Sequence, residues 1–145
     1  MKLIRNYYPN YHTGLLLLRI GIGIMFMIHG FPKITGGVEK WTALGGSMSS
    51  FGIDFLPGFW GFMAAFAEFF GGLLIALGLF FRPAVLLLII TMIVATAKHA
   101  SAGDGFGGYS HALESAIWFL GLLFTGPGKY SLDERFFSNN PDKMR

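Results

Sequence analysis

Six ionisable side chains stand at the ends of apolar stretches of the chain: His29, Lys33, Lys98, His99, His111 and Glu114. If those stretches are helices of alternating direction, all six side chains reach the same end of one bundle. Histidine and lysine donate hydrogen bonds, and histidine exchanges protons near neutral pH. A quinone headgroup requires both functions, because its ring carbonyls accept hydrogen bonds and its reduction takes up protons. The group therefore predicts a quinone site at that end.

The catalytic, proton-exchanging role in this site is assigned to three of the groups: His99, His111 and Glu114. The substrate-binding role is assigned to the other three: His29, Lys33 and Lys98. The three histidines leave a metal ion or a haem open as an alternative, because imidazole ligates both. No HxxxH pair on one helix supports that alternative. We therefore expect a quinone before a metal or a haem, and we assign no metal ligands.

Two further charged residues lie inside apolar stretches, Arg19 in the first and Glu68 in the second. A charge at the centre of a membrane helix costs about 2.5 to 3.5 kcal/mol, so each residue needs a partner or a task. We predict that Arg19 and Glu68 form an intramembrane pair, either structural or linked to proton transfer. The alternative for Arg19 is that its long side chain extends to the lipid headgroups.

Four apolar stretches must position these side chains, at residues 14–31, 58–81, 83–99 and 110–125. Each is close to the ~20 residues that cross a hydrocarbon core, and backbone groups in lipid must be satisfied within a helix. The chain of 145 residues is 53% hydrophobic and 13% charged, against roughly 25% charged in soluble domains. The sequence therefore predicts an all-α, four-helix transmembrane bundle. A single domain would cover residues 1–138, with a disordered tail at 139–145.

The connections differ in length. A long, glycine-rich loop at residues 32–57 joins the first two helices, and its aromatic residues are typical of the outer membrane interface. After the fourth helix, Ser131 and Glu134 form a capping box that predicts a short interfacial helix through Phe137. Apart from Arg19, seven Lys and Arg residues fall on the side of the two termini and three on the other side. This asymmetry predicts cytoplasmic N- and C-termini.

Composition excludes several classes of function. The chain has no cysteine, which excludes a disulfide scaffold, a CxxC redox pair and thiolate metal sites. The net charge is +3, but the basic residues do not gather on one helix face, so we expect no nucleic acid as a partner. The expected partners are the lipid bilayer and either a protein subunit or further copies of this chain.

Several short stretches stand out by their order and spacing: RIG at 19–21, HG at 29–30, AEFFGG at 67–72, LGL at 77–79, GY at 108–109 and GPGKYSLD at 126–133. Together they resemble the DoxX family of small four-helix membrane proteins, from about residue 18 to 136. The resemblance implies a bacterial or archaeal cell (inner) membrane location. It also implies a role in membrane redox systems, such as a thiosulfate:quinone oxidoreduction subunit or an assembly that handles oxidative or sulfur stress.

The resemblance and the ionisable group together predict a quinone-interacting component of a membrane oxidoreductase. Similar four-helix redox proteins use cysteine pairs, which this chain lacks, so electrons would pass directly between the quinone and a partner or cofactor. Whether the chain is an enzyme by itself is left open. The alternative is a non-catalytic assembly or anchoring subunit, or a small-solute carrier. Small residues such as Gly71 and Gly72 on one helix face favour that alternative, because they suit helix association.

Overall fold

The computed structural model describes residues 10–138, and that part of the chain is helical without a β-strand. Six α-helices follow one another: α1 (Tyr11–Ile34), α2 (Gly37–Gly45), α3 (Pro57–Leu77), α4 (Phe81–Ser101), α5 (Gly105–Thr125) and α6 (Leu132–Phe137). A 3-10 helix at Gly46–Phe51 follows α2, and one π-helical turn at Ala67–Gly71 interrupts α3. The all-α prediction is confirmed. The predicted tail at 139–145 lies outside the described residues.

Among the described residues, three helices are long and apolar enough to cross a membrane: α1, α3 and α4. Helix α5 is as long as α4, with 21 residues, and it packs extensively against α4. Its first turns carry polar residues, among them Ser110, His111 and Glu114, which lower its hydropathy. A fourth crossing by α5 therefore stays a prediction.

The predicted boundary between the second and third helices is four residues too late. Helix α3 ends at Leu77 rather than at residue 81, because Gly78 adopts a left-handed conformation with φ of +65°. Helices often end in this way, since glycine has no Cβ to clash in that conformation. Leu79 and Phe80 complete the turn, and α4 begins at Phe81.

The connection between α1 and α3, which the sequence predicts to be a long glycine-rich loop, is largely helical. It contains α2 and the 3-10 helix, and α2 packs closely on α3. A Cβ atom on Gly45 would lie 1.7 Å from the carbonyl oxygen of Pro57. A Cβ atom on Gly61 would lie 1.7 Å from that of Trp41. Because Gly45 and Gly61 have no side chain, α2 and α3 can approach each other closely. Helix α2 is thereby held against α3 as a cover over one end of the bundle.

The core lies between α3, α4 and α5. Its largest fully buried side chains are Phe81, Phe119, Ile75, Leu88 and Val85. Helix α1 joins this core through Phe26, whose ring meets that of Phe119 edge-on at 4.8 Å. Many large apolar side chains point outward instead, among them Ile24, Ile28, Leu86, Ile93 and Phe124. An apolar exterior of this kind is expected where lipid surrounds the helices.

The short helix α6 holds the turn between α3 and α4. The Ser131 hydroxyl accepts a hydrogen bond from the Glu134 N–H at 3.2 Å, which confirms the predicted cap, although an interfacial position for α6 stays a prediction. The Asp133 carboxylate accepts hydrogen bonds from the N–H groups of Phe80 and Phe81, at 2.8 and 2.9 Å. Asp133 thereby satisfies free donors at the beginning of α4, where a negative charge is favourable.

Candidate functional sites

The structure distributes the six predicted site residues over two separate places. His29 and His111 line a groove between α1 and α5, which we call the histidine groove. Three others line a cavity between α1, α3 and α4, which we call the ion-pair cavity: Lys33, Lys98 and His99. Glu114 lines neither, and like His29, His111 and Lys98 it is exposed. The prediction of a single six-residue site is therefore wrong in its geometry, since the cavity and the groove have different walls.

The histidine groove has a volume of about 420 Å³ and walls that are almost entirely apolar. Five of its larger wall residues are Leu18, Ile22, Phe26, Trp118 and Phe119. His29 and His111 stand among them with ring centroids 6.1 Å apart and ring planes at 59°. That separation is short enough for both rings to hydrogen-bond to the same oxygen atom. Ser115 also lines the groove, but its hydroxyl donates to the carbonyl of His111 at 2.8 Å.

Within residues 10–138, neither imidazole of the groove takes part in a hydrogen bond, and each contacts the other ring. A neutral imidazole offers one N–H donor and one nitrogen acceptor. Such groups cost free energy where apolar surroundings replace water and give no partner. A ligand that brings one polar oxygen to the histidines and an apolar body to the walls would satisfy both requirements.

The ion-pair cavity has a volume of about 370 Å³ and takes its name from a salt bridge between α1 and α3. The Lys33 ammonium donates to both carboxylate oxygens of Glu68, at 2.7 and 2.5 Å. The Glu68 side chain is 6% exposed and that of Lys33 is 31% exposed. Glu68 lies in the π-helical turn of α3, and such turns are frequent at functional sites.

The predicted pair of Arg19 with Glu68 is wrong, because the antiparallel register of α1 and α3 separates the two residues. Gly23 lies against Gly72 and Gly30 against Phe69, so Glu68 is level with the end of α1. Arg19 precedes Lys33 by 14 positions, which is roughly 21 Å along a helix. Lys33, rather than Arg19, is therefore the ion-pair partner of Glu68.

Arg19 has a structural position at the opposite end of the bundle. Its guanidinium donates to the carbonyl of Ala76, at 2.6 Å, and to the carbonyl of Tyr130. Ala76 belongs to the last turn of α3, whose carbonyls have no partner within the helix. Arg19 is 2% exposed, so it does not extend to the headgroups as the alternative proposed. It joins α1, α3 and the segment before α6.

The remaining charged groups of the ion-pair cavity come from the end of α4. His99 Nδ1 lies 2.6 Å from a carboxylate oxygen of Asp104, which fixes the orientation of the imidazole. Lys98 also lines the cavity and makes no ion pair within the described part of the chain. On the other side, the Trp41 indole of α2 donates to the Lys33 carbonyl at 2.9 Å. The cover, α2, is thus hydrogen-bonded to the backbone of Lys33, whose side chain forms the salt bridge.

The sequence interpretation missed three contributors to these sites: Trp118, Trp60 and Asp104. Trp118 shares a helix face with His111 and Ser115, at spacings of seven and three, so the helical period could have identified it. Trp60 lines the ion-pair cavity. The local sequence could not identify Asp104 as a site residue, because its contact with His99 depends on the conformation of the turn between α4 and α5. Among residues 10–138, three or more His, Asp or Glu side chains do not gather in an arrangement that could hold a metal ion.

The family model for DoxX matches residues 14–100 of the chain. The chain belongs to the DoxX family. It is 35% identical to the inner membrane protein YphA and 33% identical to the inner membrane protein YqjF, both of Escherichia coli. Each alignment covers 83% of this chain, with 89% of YphA and 90% of YqjF. This DoxX protein is therefore an integral membrane protein.

A third relative of this DoxX protein carries a name that refers to chemistry. It is the Bacillus subtilis protein named "Putative oxidoreductase CatD", which is 35% identical over 88% of this chain and 90% of its own length. No solved structure shows significant similarity to the chain. The range matched by the family model includes His29 and all of the charged groups that line the ion-pair cavity, and it ends before His111.

Proposed function

We propose that this DoxX protein is the quinone-binding component of a membrane oxidoreductase and that the histidine groove holds the quinone. One observation carries the proposal: two exposed imidazoles, without a hydrogen bond to any residue of 10–138, lie with ring centroids 6.1 Å apart along an otherwise apolar groove. A lipid-soluble quinone combines polar ring oxygens with an apolar tail. The name of CatD, which refers to oxidoreduction, supports the same class of function.

The two histidines supply the polar functions of this site. One imidazole donates its N–H to a ring oxygen, while the other accepts a hydrogen bond or carries a proton. Histidine suits both tasks, because an imidazole can donate, accept and transfer a proton. A bound quinone supplies the capacity to take up two electrons and two protons. Apolar side chains such as Leu18, Ile22 and Trp118 would pack against its ring and tail.

The side chains of this protein cannot supply the electrons that reduce the quinone. The sequence has no cysteine, so a CxxC pair cannot relay them. We therefore propose that a partner subunit or its cofactor exchanges electrons with the quinone, while His29 and His111 exchange protons with it. The predicted bilayer arrangement belongs to this proposal: α5 crosses the membrane as a fourth span, and both termini are cytoplasmic. The groove between α1 and α5 then opens toward lipid, from which a quinone can enter.

The experiment that tests the proposal measures quinone binding by the purified protein in nanodiscs. Trp118 lines the groove, so its fluorescence should be quenched by a short-chain quinone. Replacing both imidazoles, in His29→Leu/His111→Leu, removes the hydrogen bonds and keeps an apolar wall. We expect the dissociation constant to rise at least about tenfold, the equivalent of one lost hydrogen bond to a neutral group.

The matched control is His12→Leu, since His12 lies on the same helix α1 but does not line the groove. This variant should bind the quinone like the wild type. Unchanged quinone binding by the double leucine variant would refute the groove as the site. Absence of any quinone binding by the wild-type protein, and of quinone in its lipid extract, would refute the proposed function as a whole.

The alternative of a non-catalytic assembly subunit rested on small residues of α3, and the structure uses those residues internally. Gly72 faces Gly23 of α1, and Gly71 faces Leu88 of α4. A Cβ atom on Gly72 would lie 2.7 Å from the Gly23 carbonyl oxygen. These contacts hold the chain's own helices together, so this glycine face gives no specific support for a partner helix.

A further inference from the structure

We infer that the ion-pair cavity is a binding site for a small organic monoanion, a carboxylate on an aromatic or aliphatic body. This site is separate from the histidine groove and does not depend on the quinone proposal. The inference rests on the charge balance of the cavity, on the apolar character of its walls and on the rigidity of its cover.

Among the charged side chains that line the cavity, the Lys98 ammonium is the one without an ion pair within residues 10–138, and it is exposed at the cavity mouth. Lys33 and Glu68 form a salt bridge and balance each other. His99 bonds to Asp104 and directs its second ring nitrogen away from that carboxylate. Lys98 has no ion-pair partner within residues 10–138. A ligand with one negative charge would pair with the Lys98 ammonium, which offers three N–H donors.

The walls favour an organic anion over an inorganic one. The side of the cavity formed by α4 carries Leu87, Ile90 and Val94, and α3 contributes Phe59 and Trp60. A strongly hydrated inorganic anion would lose water against these walls without compensation. An organic carboxylate places its apolar body there and keeps its charge at Lys98. A volume of about 370 Å³ suits a small molecule, at the lower end of the ~300 to 1,000 Å³ of ligand sites.

The cover keeps the cavity in shape before a ligand arrives. Helix α2 is fixed to α3 through the close approach at Gly45 and Gly61. Its Trp41 indole donates a hydrogen bond to the backbone carbonyl of Lys33, the residue whose side chain forms the salt bridge. A preformed cavity needs little ordering when it binds, and this lowers the cost of binding. The salt bridge, the cover and the apolar walls thus form one site with Lys98 as its free charge.

The test is a titration of benzoate into the full-length protein in detergent, followed by calorimetry and by the shift in Tm. The neutral benzamide and the inorganic anion sulfate, at matched ionic strength, are the ligand controls. We expect benzoate to bind and to raise Tm, and we expect neither control to do so. Lys98→Gln should weaken benzoate binding about two- to fivefold, because solvent screens an ion pair made by an exposed ammonium. Lys98→Arg should retain it.

Lys129→Gln is the protein control, because Lys129 is an exposed lysine that does not line the cavity. It should bind benzoate like the wild type. The groove variant His29→Leu/His111→Leu should also bind benzoate normally, so the failure of either proposal can be recognised separately. Equal binding of sulfate and benzoate would overturn the inference, and so would unchanged benzoate binding by Lys98→Gln. No benzoate binding by the wild type would overturn it as well.

Discussion

Removal of Lys33 should destabilise the protein far more than removal of an ordinary surface lysine. In Lys33→Met the Glu68 carboxylate loses both of its short hydrogen bonds while its side chain stays 94% buried. Breaking a buried pair by deleting one partner costs about 3 to 5 kcal/mol. Because Lys33 itself is 31% exposed, water compensates in part, and we expect about 3 kcal/mol.

The reverse deletion should cost less, because the two partners differ in exposure. In Glu68→Met the Lys33 ammonium remains unpaired but can turn toward water, so we expect about 1 kcal/mol. The double variant Lys33→Met/Glu68→Met replaces the pair by apolar side chains of similar length. It should be more stable than Lys33→Met, with a coupling energy of about 2 kcal/mol.

The assay is reversible unfolding in mixed micelles with a rising fraction of SDS, followed by circular dichroism. Lys40→Met is the matched control, since Lys40 is an exposed lysine of α2 and should tolerate the same change. A loss in Lys33→Met no larger than in Lys40→Met would refute the reasoning. A double variant as unstable as Lys33→Met would refute it too. A parallel cycle of Arg19 with Glu68 should be additive within about 0.5 kcal/mol.

Two further changes test the helix contacts. Asp133→Ala removes the acceptor of two N–H groups, including that of Phe80, and should lower the free energy of unfolding by about 1 to 2 kcal/mol. Asp133→Asn should lower it less, because the amide oxygen can still accept one of the bonds. Gly45→Ala forces a Cβ into the Pro57 carbonyl and should cost more than about 2 kcal/mol, whereas Gly46→Ala, where the space is open, should be nearly neutral. The same SDS titration measures both, and equal stability of the two alanine variants would contradict the packing of α2 on α3.

The helical membrane architecture could be predicted because it depends on one-dimensional properties. Apolar runs at 14–31 and 83–99 fall within α1 and α4, since lipid requires continuous apolar helices. The cap at Ser131 also follows from local sequence. The helix α2 could not be read in this way. Its glycines look like turn residues, and their use in close packing depends on a neighbour that the local pattern does not reveal.

The sequence identifies which residues could form the candidate sites, but it does not show which neighbouring helix each side chain faces. His29 and Lys33 are four residues apart on α1, yet one faces α5 and the other faces α3. Alternating helix directions place these side chains at one end of the bundle, and the neighbours of α1 divide them between the groove and the cavity. The partner of Glu68 depended on the register of α1 against α3, which the close contact of Gly23 with α3 sets.

The hydrogen bond from Arg19 to the Tyr130 carbonyl has a consequence for biosynthesis. The two residues are separated by 111 positions, and a ribosome needs roughly 6 to 22 seconds to synthesise that distance. During this interval α1 can already enter the bilayer, while its arginine lacks one of its final acceptors. The nascent chain must therefore shelter that charge in the insertion machinery or beside headgroups until the last segment emerges. A chain that stops before residue 130 would keep the arginine in this unfinished state and should be a preferred substrate for membrane proteases.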